Sequence, residues 1–263
     1  MISHLSGFLR VIASSFTMQA KERATNQFFI GTLFVLPVIF TLISVGTYIY
    51  GGKSNFGLFA VIGAGMIGIW NANLWTSGRI LEGERRGGTL SMLIAAPTPL
   101  PIILIGKSLS NAAASLLSMA VTMLTGLVAF RLELDITQPV AFLISLLLTL
   151  FAMTCFGLVL GSFFVLTRNA GAFVEAANYP IFILSGLMFP LTILPAWVKP
   201  LSASLAPMWG NIALGASAGL IDGNPWSINL YLIGLSLAYL VIARILFRLV
   251  EERVCKDGSL EVY

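Results

Sequence analysis

Long apolar runs alternate with short polar segments along most of the chain. An α-helix needs about 20 apolar residues to cross about 30 Å of hydrocarbon at 1.5 Å per residue. Five runs meet this length, and they cover residues 28–50, 56–75, 109–130, 140–166 and 228–247. A sixth run, 170–189, carries Glu175, Asn178 and Pro180 in its first half but is almost wholly apolar after that. We interpret it as the fifth span in chain order, with a polar cytoplasmic end, so the pattern predicts six transmembrane helices.

Two further apolar stretches, 91–105 and 190–220, each contain at least three prolines. Proline removes a backbone donor and disfavours helix before it, and irregular backbone exposed to lipid would leave polar groups unpaired. We therefore expect both stretches to lie at the membrane surface or to be re-entrant. The second is predicted to form an outer re-entrant hairpin between spans 5 and 6, with Trp197 and Trp209 at the depth of the interfacial aromatic belt.

Ahead of the first span, residues 3–24 show an amphipathic pattern. Leu5, Leu9 and Ile12 recur at helical spacing, and Arg10 and Lys21 take the opposite face. Such a helix lies in the headgroup plane of a bilayer. We expect a surface anchor that leads into span 1, with a regulatory or partner-binding role as the alternative.

Composition and charge agree with a membrane protein. Of the 263 residues 57% are hydrophobic and 10% charged, whereas a soluble domain has about 25% charged residues. Lys and Arg accumulate on the cytoplasmic side of spans. In the six-span arrangement 12 of the 15 lie on the side of both termini, so both termini are expected in the cytoplasm. The net charge of +4 then reflects topology and requires no nucleic-acid partner.

The sequence offers few residues for catalysis or for binding a metal or cofactor. The single histidine, His4, lies near the N-terminus, so histidine-based catalysis or a multi-histidine metal site would lack its usual base or ligand. We predict no catalytic residue and no metal site. The Gly-Lys-Ser sequences at 52–54 and 106–108 lack the first glycine of the phosphate-binding loop G-x-x-x-x-G-K-[ST]. We expect this chain to bind no cofactor; if ATP is used, another polypeptide binds it.

The longest cytoplasmic loop, 77–107, combines a charged cluster with a short helical pattern. Two glycines follow the charges, and Thr89 is a suitable N-cap for a short helix that stops at Pro97. A short helix with an apolar face suits docking into a groove on another protein. An ordinary solvated loop is the alternative.

Small and polar residues cluster in span 2. Gly63, Gly65 and Gly68 allow a neighbouring helix to approach closely in lipid. We expect this packing to occur within one subunit, with a dimer seam as the alternative. The polar candidates for a functional site in the membrane are Asn71 and Asn73 here and Glu175, Asn178 and Tyr179 in the fifth span. For Glu175, near the cytoplasmic boundary, we expect a solvated or Arg168-paired structural role.

Two motifs resemble a known family. Residues 84–90, ERRGGTL, continuing through the proline-ended segment to Gly106 and Lys107, resemble the cytoplasmic signature of type-2 ABC exporter permeases. Residues 184–190, LSGLMFP, are similar to the exit of span 5 in that family and lead into its outer hairpin. Here the acidic residues are spread over Glu82 and Glu84, and two arginines follow. With six spans and an N-terminal interfacial helix, the resemblance covers the whole chain as one permease domain, 1–263.

The resemblance implies an all-α permease that pairs with a second copy or a related subunit and with separate P-loop subunits that bind ATP and Mg. It implies a multi-pass protein of the bacterial cytoplasmic (inner) membrane. The residues expected to couple to the ATP-binding subunit are Glu82, Glu84, Arg85, Arg86, Gly88, Thr89, Leu90 and Leu93. The residues expected to line the substrate path, on spans 2 and 5, are Trp70, Asn71, Asn73, Asn178, Phe182 and Phe189. The residues expected in the outer gate hairpin are Pro190, Pro195, Trp197 and Trp209.

The predicted lining is aromatic with a few amides and no charge cluster, which favours a hydrophobic or amphipathic solute such as a drug or a peptide-like molecule. Export of a polysaccharide or lipid-linked glycan is the alternative within the family, because aromatic rings also stack on sugars. An ATP-independent channel or secondary carrier is the alternative from another class. Ion-coupled carriers place ionisable residues at mid-membrane, and the centres of these spans contain none. A membrane-embedded enzyme is disfavoured because histidine and paired carboxylates are absent from them.

Overall fold

A computed structural model describes residues 2–51, 57–76, 87–88, 92, 100–132, 135–165, 170–187 and 194–257. These residues form helices and no strand. We number the helices α1 (Ile2–Thr25), α2 (Gln27–Ile30), α3 (Leu36–Tyr50), α4 (Gly57–Thr76), α5 (Leu100–Phe130), α6 (Pro139–Val165), α7 (Ala170–Leu184), α8 (Lys199–Ala203), α9 (Ala206–Ser217) and α10 (Pro225–Asp257).

The N-terminal helix turns into the first span at Asn26. This residue is extended, and its side-chain oxygen accepts a hydrogen bond from the Phe28 N–H over 3.0 Å, which caps α2. A π-helical turn, Gly31–Val35, then leads into α3. Pro37 lies in the first turn of α3 and cannot donate to the carbonyl four residues earlier, and its ring crowds that carbonyl, which favours the wider turn.

Among the described residues, four helices are long and apolar enough to cross a membrane, and they are Gln27–Tyr50, Ile102–Phe130, Pro139–Ser162 and Pro225–Leu246. They correspond to predicted spans 1, 3, 4 and 6. The second predicted span is α4, whose apolar part is the shorter Gly57–Asn73. The fifth contains α7, whose 15 residues cover about 22 Å at 1.5 Å per residue. The count of six spans therefore stays a prediction.

Prolines begin several helices where the sequence pattern predicted irregular backbone. Pro101, Pro200 and Pro207 lie at the second residues of α5, α8 and α9. A first-turn N–H has no partner within its own helix, so its absence costs nothing. The loop predicted at 77–107 is thus too long, because residues 100–107 are the first two turns of α5. The predicted outer segment 190–220, described from residue 194, contains the paired short helices α8 and α9.

The fifth predicted span also ends earlier than expected. Its helix stops at Leu184, and the chain turns through Gly186, whose φ is +67°. Glycine adopts this left-handed conformation without steric strain. Phe189 and Pro190, which the sequence placed after this turn, lie outside the described residues.

Helix α4 lies at the centre of the packed helices and contacts α3, α5, α6 and α9. Nearly every residue from 57 to 70 is buried. A Cβ atom at Gly63, Gly65 or Gly68 would overlap atoms of Leu187, Met119 or Ser118 of the same chain. The prediction that these glycines serve packing within one subunit is confirmed.

Helix α1 packs along α5. Its Ser15 and Gln19 are buried, whereas Leu9 and Met18 are exposed. A Cβ atom at Gly106 of α5 would lie 2.6 Å from the Ile12 carbonyl oxygen, so the two backbones meet closely there. Of the predicted apolar face of α1, Leu9 is exposed, whereas Ile12 and Phe16 are half-buried. The position of α1 in the headgroup plane stays a prediction.

Candidate functional site

A series of contacts that begins at the indole of Trp70 connects four helices in the core. The Trp70 Nε1–H donates to the Asn178 Oδ1 of α7 over 2.7 Å. Its ring centroid lies 5.8 Å from that of Phe156 in α6, which in turn lies 5.1 Å from the ring of Tyr239 in α10. The Tyr239 hydroxyl donates to the Ser204 carbonyl. This series of contacts ties α4 and α7 to α10 and to the residue that ends α8.

Asn73, one turn further along α4, connects α4 with α5 and α6. Its Nδ2 donates to the Ile69 carbonyl over 3.0 Å and to the Ser115 Oγ over 3.1 Å. Its Oδ1 accepts from the Thr154 hydroxyl over 3.2 Å. The side chain is 1% exposed, and a buried amide needs such partners to offset its desolvation.

The same polar contacts continue towards the N-terminal helix. The Ser115 hydroxyl donates to the Asn111 carbonyl over 3.0 Å, and Arg23 of α1 donates to the Asn111 Oδ1. Arg23 also donates to the Ser110 carbonyl over 3.4 Å. Hydrogen bonds therefore connect α1, through α5, to α4 and α6.

Arg23 lies in a partly desolvated site. Its guanidinium carbon is 5.8 Å from the centre of the Phe29 ring, within cation–π range. Burial lowers the pKa of Arg23 to about 10, and the neighbouring Glu22 partly opposes this shift. The guanidinium still carries its positive charge at neutral pH.

The residues predicted to line the substrate path take different positions. Trp70, Asn73, Asn178 and Phe182 are buried within the single chain, where the first three make the contacts described above. Asn71 is half-buried. The structure brings Trp70 and Asn178 together, and the role of these residues in transport stays a prediction.

The open face of α7 carries Tyr179, a polar candidate in the sequence, and Ile183, which the sequence analysis did not select. Tyr179 is 68% exposed and Ile183 is 47% exposed. The ring of Tyr179 makes an edge contact with Phe182, with centroids 6.4 Å apart. A helical projection could have separated this face from that of Asn178 and Phe182, but it would not have shown which face points outward.

Most residues predicted to couple to an ATP-binding subunit lie outside the described residues: Glu82, Glu84, Arg85, Arg86, Thr89, Leu90 and Leu93. Gly88 is described, and its φ of +69° places it in a turn. This left-handed conformation favours glycine over other residues at position 88. Nearby Met92 is 73% exposed.

Of the predicted outer gate residues, Trp209 packs within the chain, whereas Trp197 and Pro195 are exposed. The Trp209 Nε1–H donates to the Ala203 carbonyl over 2.8 Å, and its ring lies 4.3 Å from that of Tyr231 in α10. Trp197 is 80% exposed, and Pro195 is also exposed. The Asn211 Nδ2 donates to the Gly186 carbonyl over 3.0 Å, which connects α9 to the turn after α7.

Comparison with protein families gives one match. Residues 11–214 match the family described as ABC-2 type transporter, and this range covers most of the chain. No curated protein matches the sequence. Members of this family are membrane permeases that work with an ATP-binding subunit, so the expectation drawn from the two motifs is confirmed at this level. The chain therefore belongs to the ABC-2 type transporter family and is the membrane subunit of an ABC transporter.

Proposed function

We propose that this chain is the permease of an ATP-driven exporter, in which two permease subunits form the substrate path and two separate subunits hydrolyse ATP. The permease itself catalyses no reaction, and ATP and Mg bind on the partner. The protein lies in the bacterial cytoplasmic membrane with both termini in the cytoplasm. The family match supports this reading over an ATP-independent channel or carrier.

The observation that carries the proposal is the series of hydrogen bonds from α1 to the core. Arg23 contacts Asn111, and Ser115 connects that turn of α5 to Asn73. In a buried network of this kind, a displacement of α1 or α5 must be followed by α4 or break hydrogen bonds. ATP binding can drive such a displacement only if it favours one conformation over the other.

We assign the transmission of this preference for one conformation to residues 82–93, the coupling segment. The charged residues Glu82 to Arg86 and the short apolar segment from Thr89 to Leu93 would dock into the ATP-binding subunit. Gly88 supports this assignment, because its left-handed turn separates the two parts. Closure of the ATP-binding subunits would then press on this segment and on α1, and an inward-open cavity would become outward-open.

The open face of α7 supports a path between two permease subunits. Tyr179 and Ile183 are exposed in the single chain, as are apolar side chains on the other candidate spans. We assign this face to the path, where a facing subunit or a transported solute would cover it. We assign Asn71 and Phe189 to the same path, and assign to Trp70, Asn178 and Phe182 the role of holding this face in position.

The exposed aromatic and aliphatic side chains favour a hydrophobic or amphipathic solute, such as a drug or a peptide-like molecule. A polysaccharide or lipid-linked glycan is the second candidate, because the exposed Tyr179 ring could also stack on sugars. The hairpin that carries Pro190, Pro195, Trp197 and Trp209 would close the outer end of the path.

Affinity purification of the tagged protein from mild detergent tests the assembly. We expect a stoichiometric P-loop subunit by mass spectrometry, together with ATP hydrolysis. Replacing Arg85, Arg86 and Leu90 with alanine should remove that subunit, whereas Lys199→Ala, on the opposite side in the proposed topology, should retain it. A protein that elutes alone even after crosslinking would contradict the proposal.

Stimulation of ATP hydrolysis tests the substrate class. We expect hydrophobic cations or peptides to raise the rate in reconstituted transporter, and Tyr179→Ala or Asn71→Ala to abolish this rise. Trp226→Ala is the control, because Trp226 is also half-exposed but lies on α10. Stimulation by a lipid-linked glycan alone would favour the second candidate.

A further inference from the structure

A cavity of about 480 Å³ lies between α1, the start of the first span and α5. Its volume falls in the range of about 300–1,000 Å³ that is typical of ligand sites. The lining is apolar except for Arg23, Thr32 and Ser110. Phe29, Leu33 and Phe34 of the first span form one side, and Leu117 of α5 contributes to the other.

The position of Arg23 gives this cavity two chemically distinct ends. Arg23 precedes Asn26, where α1 ends and the first candidate span begins, so in the proposed topology it lies at the level of lipid headgroups. Phe29 and Phe34 follow on the segment that enters the hydrocarbon. A ligand that fills the cavity therefore needs a polar end beside Arg23 and an apolar part along the span.

Arg23 is a cation whose charge the described residues compensate incompletely. A guanidinium has five N–H donors, and in the described part of the chain Arg23 makes two hydrogen bonds, both to uncharged oxygens. Its Nε is buried without a hydrogen-bond partner. Among the described residues no carboxylate forms a salt bridge with it, and its neighbour Glu22 is exposed. Buried charges are normally paired, which makes an anion the complementary ligand.

We propose that this cavity binds an anionic phospholipid, with its phosphate beside Arg23 and an acyl chain along Phe29, Leu33 and Phe34. Guanidinium groups bind phosphate oxygens through directed, charge-assisted hydrogen bonds. Basic pockets between helices near a membrane surface bind lipid headgroups in this way. The bound lipid would cover the junction between α1 and α5, from which the hydrogen bonds to Asn73 begin.

Native mass spectrometry of the full-length protein in detergent tests this site. Dioleoyl-phosphatidylglycerol and dioleoyl-phosphatidylcholine carry the same acyl chains and differ in net headgroup charge. We expect the anionic lipid to bind about tenfold more tightly, because both lipids carry the phosphate but only phosphatidylcholine carries a choline cation, which the Arg23 guanidinium repels. Arg23→Gln should remove this preference, whereas Lys21→Gln, an exposed cation on the same helix that does not line the cavity, should keep it.

A second pair of variants leaves Arg23 intact. Ala113 and Ala120 are both exposed residues of α5, but only Ala113 lines the cavity. Ala113→Trp should fill the cavity and lower binding of the anionic lipid to the level of nonspecific lipid, and Ala120→Trp should not. Equal binding of the two lipids, a preference that survives Arg23→Gln, or undiminished binding to Ala113→Trp would each overturn the proposal.

Discussion

The indole N–H of Trp70 donates to the side-chain oxygen of Asn178 over 2.7 Å, and both residues are buried. This hydrogen bond joins α4 to α7. It holds α7 so that Tyr179 and Ile183 face outward. Asn178, which the sequence analysis expects in the substrate path, is thus buried and hydrogen-bonded within the chain, and its role in transport stays a prediction.

Asn178→Leu should lower the free energy of unfolding by about 1–3 kcal/mol, because the indole donor stays buried without an acceptor. Thermal unfolding of the purified protein in detergent measures this loss. The double variant with Trp70→Phe should lose less than the sum of the two single variants, since they remove the same hydrogen bond. Trp226→Phe, at a half-exposed tryptophan, is the control, and additive losses would contradict the coupling.

Asn73→Ala should also lower the free energy of unfolding by about 1–3 kcal/mol, because it removes the side-chain hydrogen bonds that connect α4 to α5 and α6. Thr154→Val should lower the free energy of unfolding by less, because the Asn73 Nδ2 keeps both of its acceptors. Thr47→Val is a matched control, because the Thr47 hydroxyl donates within its own helix, to the Ile43 carbonyl. Equal effects of Asn73→Ala and Thr47→Val in thermal unfolding would refute a special role for this amide.

Gly106→Val should displace α1 from α5, because the new Cβ would lie 2.6 Å from the Ile12 carbonyl oxygen and 2.8 Å from the Ser15 Cβ. Overpacking of this kind costs about 1–3 kcal/mol. Crosslinking between cysteines placed on the two helices should fall, and so should ATP-dependent transport. Gly234→Val adds the same side chain to helix α10 where no atom lies within 4 Å, so unchanged crosslinking is expected there.

The two tryptophans of the predicted outer gate should respond differently to alanine. Trp209→Ala should lower the free energy of unfolding by about 3 kcal/mol, because it removes packing against Tyr231 and the hydrogen bond to Ala203. Trp197→Ala should stay within about 0.5 kcal/mol of the original protein, since Trp197 is largely exposed. Thermal unfolding of both variants compares them, and a similar loss for both would contradict the described hairpin packing.

Helix positions were largely determined by the sequence alone. The long apolar runs predicted the helices Gln27–Tyr50, Ile102–Phe130, Pro139–Ser162 and Pro225–Leu246, because span length and hydropathy are local properties of the chain. The motif ERRGGTL identified the family for a similar reason, since it needs only contiguous residues. The prolines led to the wrong prediction of irregular backbone at Pro101, Pro200 and Pro207, because a proline can end one helix or begin the next.

The direction of each side chain was decided only by the tertiary structure. Helix α4 is apolar on every side from Gly57 to Trp70, so the periodicity of this part contains no information on which face meets α5, α6 or α7. The close approach at Gly63, Gly65 and Gly68 sets that rotation, and with it the inward position of Trp70 and Asn73. The cavity at Arg23 depends likewise on contacts between α1 and α5, residues about 87 apart in the chain. Sequence patterns along one helix cannot report such contacts, because they arise from the shapes of two surfaces that meet only in the folded protein.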